Sequence, residues 1–349
     1  MDPSLIAEHH ARPDPGFDLV HSDIVGFFPK LVAELGGDPQ SLLQDLGIEP
    51  AVLSKGKSKL GYRSIANLLE HAAAQLQCPD FGMRLANLQG GHRVFGPMSI
   101  VMKNSNTFGE ALDYVASHYH AHSPAARMRF EPDRAHRERF AGHQILLDRL
   151  PNQRQVIELV LLLGHLTAVD ITGGQARVRS VLFRHQPVSS LRTYRRYFGC
   201  DVRFDQQEDG VVFSERDLLC PIVGPDAQLY EMATSFIDTR FTRISPPMHA
   251  QVRAVILRLI GTEECSNEHV AGELCLHPRT LHRRLKAEGK SFESIKDEVR
   301  RDVALRYLQQ TDLPLTRIAE KLGYAEHSVL SRSCLRWFSA SPRQLRHKR

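Results

Sequence analysis

The sequence predicts two domains of different class: an α+β N-terminal domain, followed by an all-α C-terminal domain with two helix-turn-helix units. Three observations carry this. The chain has 349 residues, and at roughly 100–200 residues per domain that length suggests two. Charge is segregated: residues 251–349 hold 19 Lys and Arg against 12 Asp and Glu, whereas the preceding 250 residues hold 26 against 28. Strand-like alternation is confined to the first 225 residues, and from Met248 onward the pattern is one of short helices.

In the N-terminal region, helices are expected over Ile65–Leu76, opened near Ser64, over Phe108–His118, opened by Asn106-Thr107, and over Gln155–Leu166. Strands are expected over Ala126–Phe130, Ala176–Arg184, Cys200–Phe204 and Gly210–Phe213. In the third, Cys200, Val202 and Phe204 alternate with charged residues, as in a half-buried strand. The run VIELVLLLGHL fits a buried core or dimer-interface helix and falls far short of the ~20 apolar residues of a membrane span. Ser245-Pro246-Pro247 reads as a helix N-cap with proline at N1. The expected organisation is therefore a first domain over 1–230, a linker over 231–245 in which TSFIDTRF is also compatible with a helix, and a second domain over 246–349. The first C-terminal helix places Val252, Val255, Ile256 and Leu259 on one face and ends near Gly261.

Composition excludes several classes. Hydrophobic residues are 42% and charged residues 24%, as in an ordinary soluble protein. The six cysteines are scattered without a CxxC pair, which reads as free thiols in a reducing compartment. The start, MDPSLIAEHHARPDPG, lacks a basic n-region and an apolar h-region, so a cytoplasmic protein is expected. There is no GxSxG, P-loop, GxGxxG or HExxH, so neither catalysis nor a cofactor is expected. His118, His120 and His122 read as surface imidazoles at a helix end rather than a metal site.

Two C-terminal stretches share one grammar. In SNEHVAGELCLHPRTLHRRLKAEGKSF (266–292), a helix buries Val270, Ala271 and Leu274, a turn follows at Cys275-Leu276, and a second helix buries Leu281 and Leu285. In LPLTRIAEKLGYAEHSVLSRSCLRWFSASP (313–342), Leu315, Ile318, Ala319 and Leu322 face inward, Gly323 turns the chain, and the next helix buries Leu330, Cys334 and Trp337. Ala271 and Ala319 are small enough for two helices to cross closely over a short turn, which a helix-turn-helix requires. The outer face of the first second helix carries Arg279, His282, Arg283 and Lys286; that of the other carries His327, Ser328, Ser331 and Arg332. Arginine can bridge guanine O6 and N7, and hydroxyls and imidazoles can reach base edges or phosphates. Arg336, Arg343, Arg346, Lys348 and Arg349 would add affinity without sequence information.

The motifs HPRTLHRRLKAEGKSF, VRRDVALRYL and IAEKLGY-x2-HSVLSRSCLRW-x3-SP-x3-R resemble the DNA-binding domain of the AraC/XylS family of bacterial transcription regulators. FGMRLA, FGPMSIVMKNSNTFGEALDYVASHYH and residues 178–222 are similar to the arabinose-binding-like sensor domain of its ornithine- and fatty-acid-responsive members, a label that says nothing here about sugar. The resemblance implies a seven-helix domain whose two recognition helices, joined by a helix over Phe292–Leu308, enter successive major-groove segments. The DNA-binding set it implies is Arg279, Thr280, His282, Arg283, Lys286, His327, Ser328, Ser331, Arg332 and Arg336. Implied partners are double-stranded DNA, RNA polymerase, a second copy of the chain and an effector that is amino-acid-like or fatty-acid-like. Departures from the family are His277 for the capping Ser, Cys334 for Phe, Ser339 for Gly and Leu345 for Tyr. A ligand-independent DNA-binding adaptor working through a protein partner would use the same motifs, but would bind random DNA nearly as well as any genomic site.

Overall fold

A computed structural model describes residues 17–54, 59–133, 138–148, 150, 152–241 and 246–347. These fall into two compact units: 17–145 with 152–241, and 246–347 with the short stretch 146–150.

The first unit opens with β1 (Val20–His21), which pairs antiparallel with β2 (Lys59–Leu60). Helices α1 (Phe28–Glu34), α2 (Pro39–Gln44), α3 (Ala51–Ser54), α4 (Tyr62–Gln75), α5 (Phe81–Gln89), α6 (Pro97–Asn104) and α7 (Phe108–His118) precede the main sheet. Thr107 caps α7 by accepting from the Glu110 N–H, as the Asn106-Thr107 signal predicts. The capping residue of α4 is Gly61 rather than Ser64, so that helix starts earlier than expected. The sheet has five strands in the order β3 (Ala126–Asp133), β4 (Glu138–Ile145), β7 (Gly210–Ser214), β5 (Ser180–Leu182) and β6 (Asp201–Arg203). All neighbours are antiparallel except β5 and β6. Strand β4 was not expected. Its sequence ERFAGHQI lacks clean alternation, and its extended form rests on pairing with both β3 and β7. Conversely, only Ser180–Leu182 of the expected strand 176–184 enters the sheet.

Helix α8 (Arg154–Ile171) contains the VIELVLLLGHL run and is buried at every residue from 155 to 163, which makes it a core helix. Helices α9 (Leu191–Phe198), α10 (Glu215–Leu218) and α11 (Ala227–Arg240) complete the unit. The linker expected over 231–245 is thus helical as far as residue 240: Asp226 caps α11, and Ala233 and Ile237 are buried as it packs on α6. Residues 242–245, including the Ser245 read as a cap, lie outside the described residues.

The three neighbouring histidines do not act alike. His118 stacks on Tyr114, His120 contacts the Phe241 carbonyl, and His122 is interior, against the expectation of a surface imidazole. No cluster able to hold a metal occurs among the described residues. His143, on β4, is held between the hydroxyls of Tyr62 (3.0 Å from Nε2) and Tyr119 (3.3 Å from Nδ1). Burial pushes His122 down to about 3 and His143 down to about 4. Burial also pushes Glu158 up to about 8, with its carboxyl 2.5 Å from the Tyr194 hydroxyl.

The second unit is all helical: α12 (Met248–Leu259), α13 (Asn267–Glu273), α14 (Pro278–Ala287), α15 (Phe292–Gln310), α16 (Leu315–Lys321), α17 (His327–Phe338) and α18 (Pro342–His347). These seven helices share one apolar core, which includes Val252, Val270, Leu281, Val299, Ile318, Leu330 and Cys334. Helix α12 begins after both prolines, and its first amides are capped by Glu288, whose carboxylate accepts from Met248 and His249 at 2.7 and 2.8 Å. Cys334 is fully buried and its thiol is pushed up to about 11. Ser339 adopts the left-handed conformation at the end of α17, with φ +51° and its N–H on the Leu335 carbonyl.

His122 and His143 are neutral when folded and take up protons below about 6.5 when unfolded, so stability falls as pH drops from 7 to 5, by on the order of 2 kcal/mol per histidine. Glu158 acts in the opposite sense, losing stability as pH rises from about 4.5 through 8. Thermal unfolding should therefore show a stability maximum near pH 6.5, and Glu158→Gln should flatten the alkaline limb. Ser339→Gly should stabilise the second unit by about 1 kcal/mol, because glycine removes the left-handed Cβ penalty; chemical denaturation measures the change.

Candidate nucleic-acid interface

The two helix-turn-helix units are built by the same local hydrogen bonds. In the first, Leu276 N–H returns to the Ala271 carbonyl at 2.8 Å, and Cys275 takes the positive φ of the turn, +54°. In the second, Tyr324 N–H returns to the Ala319 carbonyl at 3.0 Å, and Gly323 takes the same place with φ +68°. Both alanines are buried at the helix crossing. Helix α14 begins with His277, whose Nδ1 accepts from the Arg279 N–H at 3.2 Å, so the imidazole does the capping work of the family's serine. At the start of α17, the Glu326 carboxylate instead accepts from the Ser328 hydroxyl at 2.9 Å.

Arg279, His282, Arg283 and Lys286 fall at i, i+3, i+4 and i+7 on α14, opposite the buried Leu281 and Leu285. All four are exposed and none makes a side-chain hydrogen bond or ion pair among the described residues. Arg284 is equally exposed and unpaired, and belongs with this set although it was not singled out. Its signal lay in plain view, in the Arg283-Arg284 pair. Thr280 is half-buried in the first turn. On α17, His327 and Arg332 are exposed and unpaired, while Ser328 and Ser331 are half-buried, Ser331 donating to the His327 carbonyl at 3.3 Å. Leu335 lies one turn beyond Ser331 with 54% of its surface exposed.

The flanking cations separate into two kinds. Arg336 is 2.5 Å from Asp297 on α15, and the same carboxylate accepts from the Trp337 indole at 2.8 Å. Arg346 donates to the Leu313 carbonyl. Both therefore brace the domain, which the sequence did not reveal. Arg343 is exposed and unpaired among the described residues; Lys348 and Arg349 lie outside them. A buried pair, Arg253 to Asp302 at 2.7 Å, ties α12 to α15. Gly261 follows α12 with φ +89°, and a Cβ there would stand 2.7 Å from the Lys321 carbonyl. The chain after α12 thus touches the backbone at the end of α16.

A second candidate site is a cavity of the first unit, about 70 Å³ in volume and partly open to solvent. It lies between helices α6, α7 and α8 and strands β3, β4 and β7. Most of its wall is apolar, with Phe95, Met102, Phe108, Leu112 and Phe213 among the lining residues. Sequence reasoning did not find it, because its walls are distant in sequence.

Residues 36–222 match the family described as the arabinose-binding domain of AraC transcription regulators, N-terminal, and residues 270–348 match a helix-turn-helix domain. The HTH-type transcriptional regulator VirS of Mycobacterium tuberculosis is 34% identical over 328 residues, covering 94% of this chain and 96% of VirS. The ornithine utilization regulator of Pseudomonas aeruginosa is 24% identical over 324 residues, covering 90% of this chain and 93% of its own. The crystal structure of the transcriptional regulator CdpR from Pseudomonas aeruginosa overlays with a TM-score of 0.43 at 20% identity, covering 88% of this chain and 96% of that one. The motifs, the paired helix-turn-helix geometry, the match to the family model over residues 36–222 and the match to VirS give one answer: the chain belongs to the AraC family of DNA-binding transcription regulators, with an arabinose-binding-type N-terminal domain.

Proposed function

We propose that the protein is a cytoplasmic, homodimeric transcriptional activator that reads duplex DNA through α14 and α17 under the control of a small molecule bound in the interior cavity. It carries out no catalysis of its own and acts with RNA polymerase. Residues up to 240 form the sensor, and residues from 246 form the DNA-binding domain.

The observation that carries this reading is the row Arg279, His282, Arg283 and Lys286, unpaired among the described residues, set against Arg253 and Arg336 of the same domain, which are held by carboxylates. A cation without an internal partner is free to meet a phosphate or a guanine. Helix α15, which joins the two units, has 19 residues and spans roughly 28 Å at 1.5 Å each, a length of the same order as the ~34 Å of one DNA turn. A dimer is supported by Leu229, Met232 and Phe236, an exposed apolar row on α11. Effector control would follow if the ligand prefers one of two arrangements that differ in DNA affinity.

The test uses one genomic fragment that the full-length protein retains, compared with random DNA. Arg283→Ala and Arg332→Ala should each weaken binding to the retained fragment by about 1–3 kcal/mol and relax discrimination at one base position. Equal loss on both DNAs would reduce these residues to phosphate contacts. Arg336→Ala and Arg346→Ala should instead lower the melting temperature, since each removes a brace.

A further inference from the structure

We infer that the interior cavity takes an uncharged, largely apolar molecule bearing a single hydrogen-bonding oxygen, rather than a sugar, an amino acid or a carboxylate. Its regulatory meaning rests on the effector reading above; the ligand class rests on the wall itself.

The lining includes no Asp, Glu, Lys or Arg. The side-chain polar groups on the wall are Tyr119, His143 and Thr167. The Thr167 hydroxyl is buried on α8 without a hydrogen-bond partner among the described residues, an arrangement proteins rarely leave unmet. His143 is satisfied internally. Its neutral ring has one N–H and one lone pair, which the Tyr62 and Tyr119 hydroxyls share between them. That pairing leaves one tyrosine proton undirected, because one hydroxyl accepts from the ring while the other donates to it. The wall therefore offers the Thr167 hydroxyl and at most one further donor. An apolar pocket with few, placed polar groups is the common form of a small-molecule site.

These groups cannot serve the alternatives. A pentose brings a ring oxygen and four hydroxyls, most of which would be stripped of water unpaired. An α-amino acid brings two charges and meets no opposite charge. A carboxylate would face an imidazole that burial holds neutral, its pKa pushed down to about 4. The remaining contacts favour carbon: Phe95, Phe108 and Phe213 supply ring surfaces, and Gly164 on α8 leaves open space where a Cβ would meet nothing within 4 Å.

Calorimetric titration of the full-length protein tests this with a matched set: 2-phenylethanol, ethylbenzene, phenylacetate, L-arabinose and L-ornithine. We expect 2-phenylethanol to bind one site per chain, about tenfold or more tighter than phenylacetate, with no saturable binding of arabinose or ornithine. Gly164→Leu, which fills the open space, should abolish binding. Thr167→Val should keep or raise the melting temperature while reducing the preference for 2-phenylethanol over ethylbenzene about three- to tenfold. Failure of 2-phenylethanol to bind overturns the inference, as does binding of phenylacetate, arabinose or ornithine at equal strength and loss of that binding in Gly164→Leu. Fragment retention measured with the same ligands separates the two claims. If 2-phenylethanol binds without changing DNA affinity, the ligand class stands and effector control falls. If a charged or sugar ligand binds there and shifts DNA affinity, control stands and the ligand class falls.

Discussion

Both recognition helices are referred to a single rod, α15, and the DNA-binding geometry depends on how firmly each is fixed to it. The fixing is polar as well as apolar. Asp302 holds Arg253 of α12 in a pair almost without solvent, where removing one partner would strand a buried charge. Asp297 holds Arg336 and the Trp337 indole at the end of α17. Glu288, just past α14, caps α12 and so links the first recognition helix to the same frame; its backbone and His249 hydrogen bonds hold its carboxyl below the usual range despite the opposing effect of burial. A displaced α15 would therefore misplace both helices at once.

The two recognition helices are not electrostatic equals. The first presents Arg279, Arg283, Arg284 and Lys286 unpaired, whereas the second presents Arg332, because Arg336 is occupied by Asp297 and Glu326 adds a negative charge at the helix start. Counterion release scales with the phosphates neutralised, so on the proposed reading the first unit would supply most of the salt-dependent affinity. The second, with His327, Ser328, Ser331 and the exposed Leu335, is suited to hydrogen bonds and apolar contact at base edges.

The helix-turn-helix units were legible because everything that defines them is local. A small alanine, a turn residue able to take positive φ and an amphipathic helix all lie within some twenty-five residues, and the structure repeats the same carbonyl-to-amide returns at Ala271 and Ala319. What was illegible depends on residues far apart in sequence. Arg336 and Arg346 read as free cations until Asp297 and the Leu313 carbonyl are seen beside them. Strand β4 exists because two neighbours pair with it, not because ERFAGHQI favours extension. Helix α11 was hidden in an expected linker, since its buried residues Ala233 and Ile237 have meaning only against α6. The cavity is the extreme case, drawn from segments spread between Phe95 and Phe213 that no spacing connects.

The most direct test is retention of pooled genomic fragments by the full-length protein at physiological ionic strength, followed by footprinting of what is kept. A few sharply enriched fragments are expected, each protected in two adjacent major-groove segments about one helical turn apart. Uniform retention of all fragments, with no footprint, would contradict sequence-specific reading by α14 and α17.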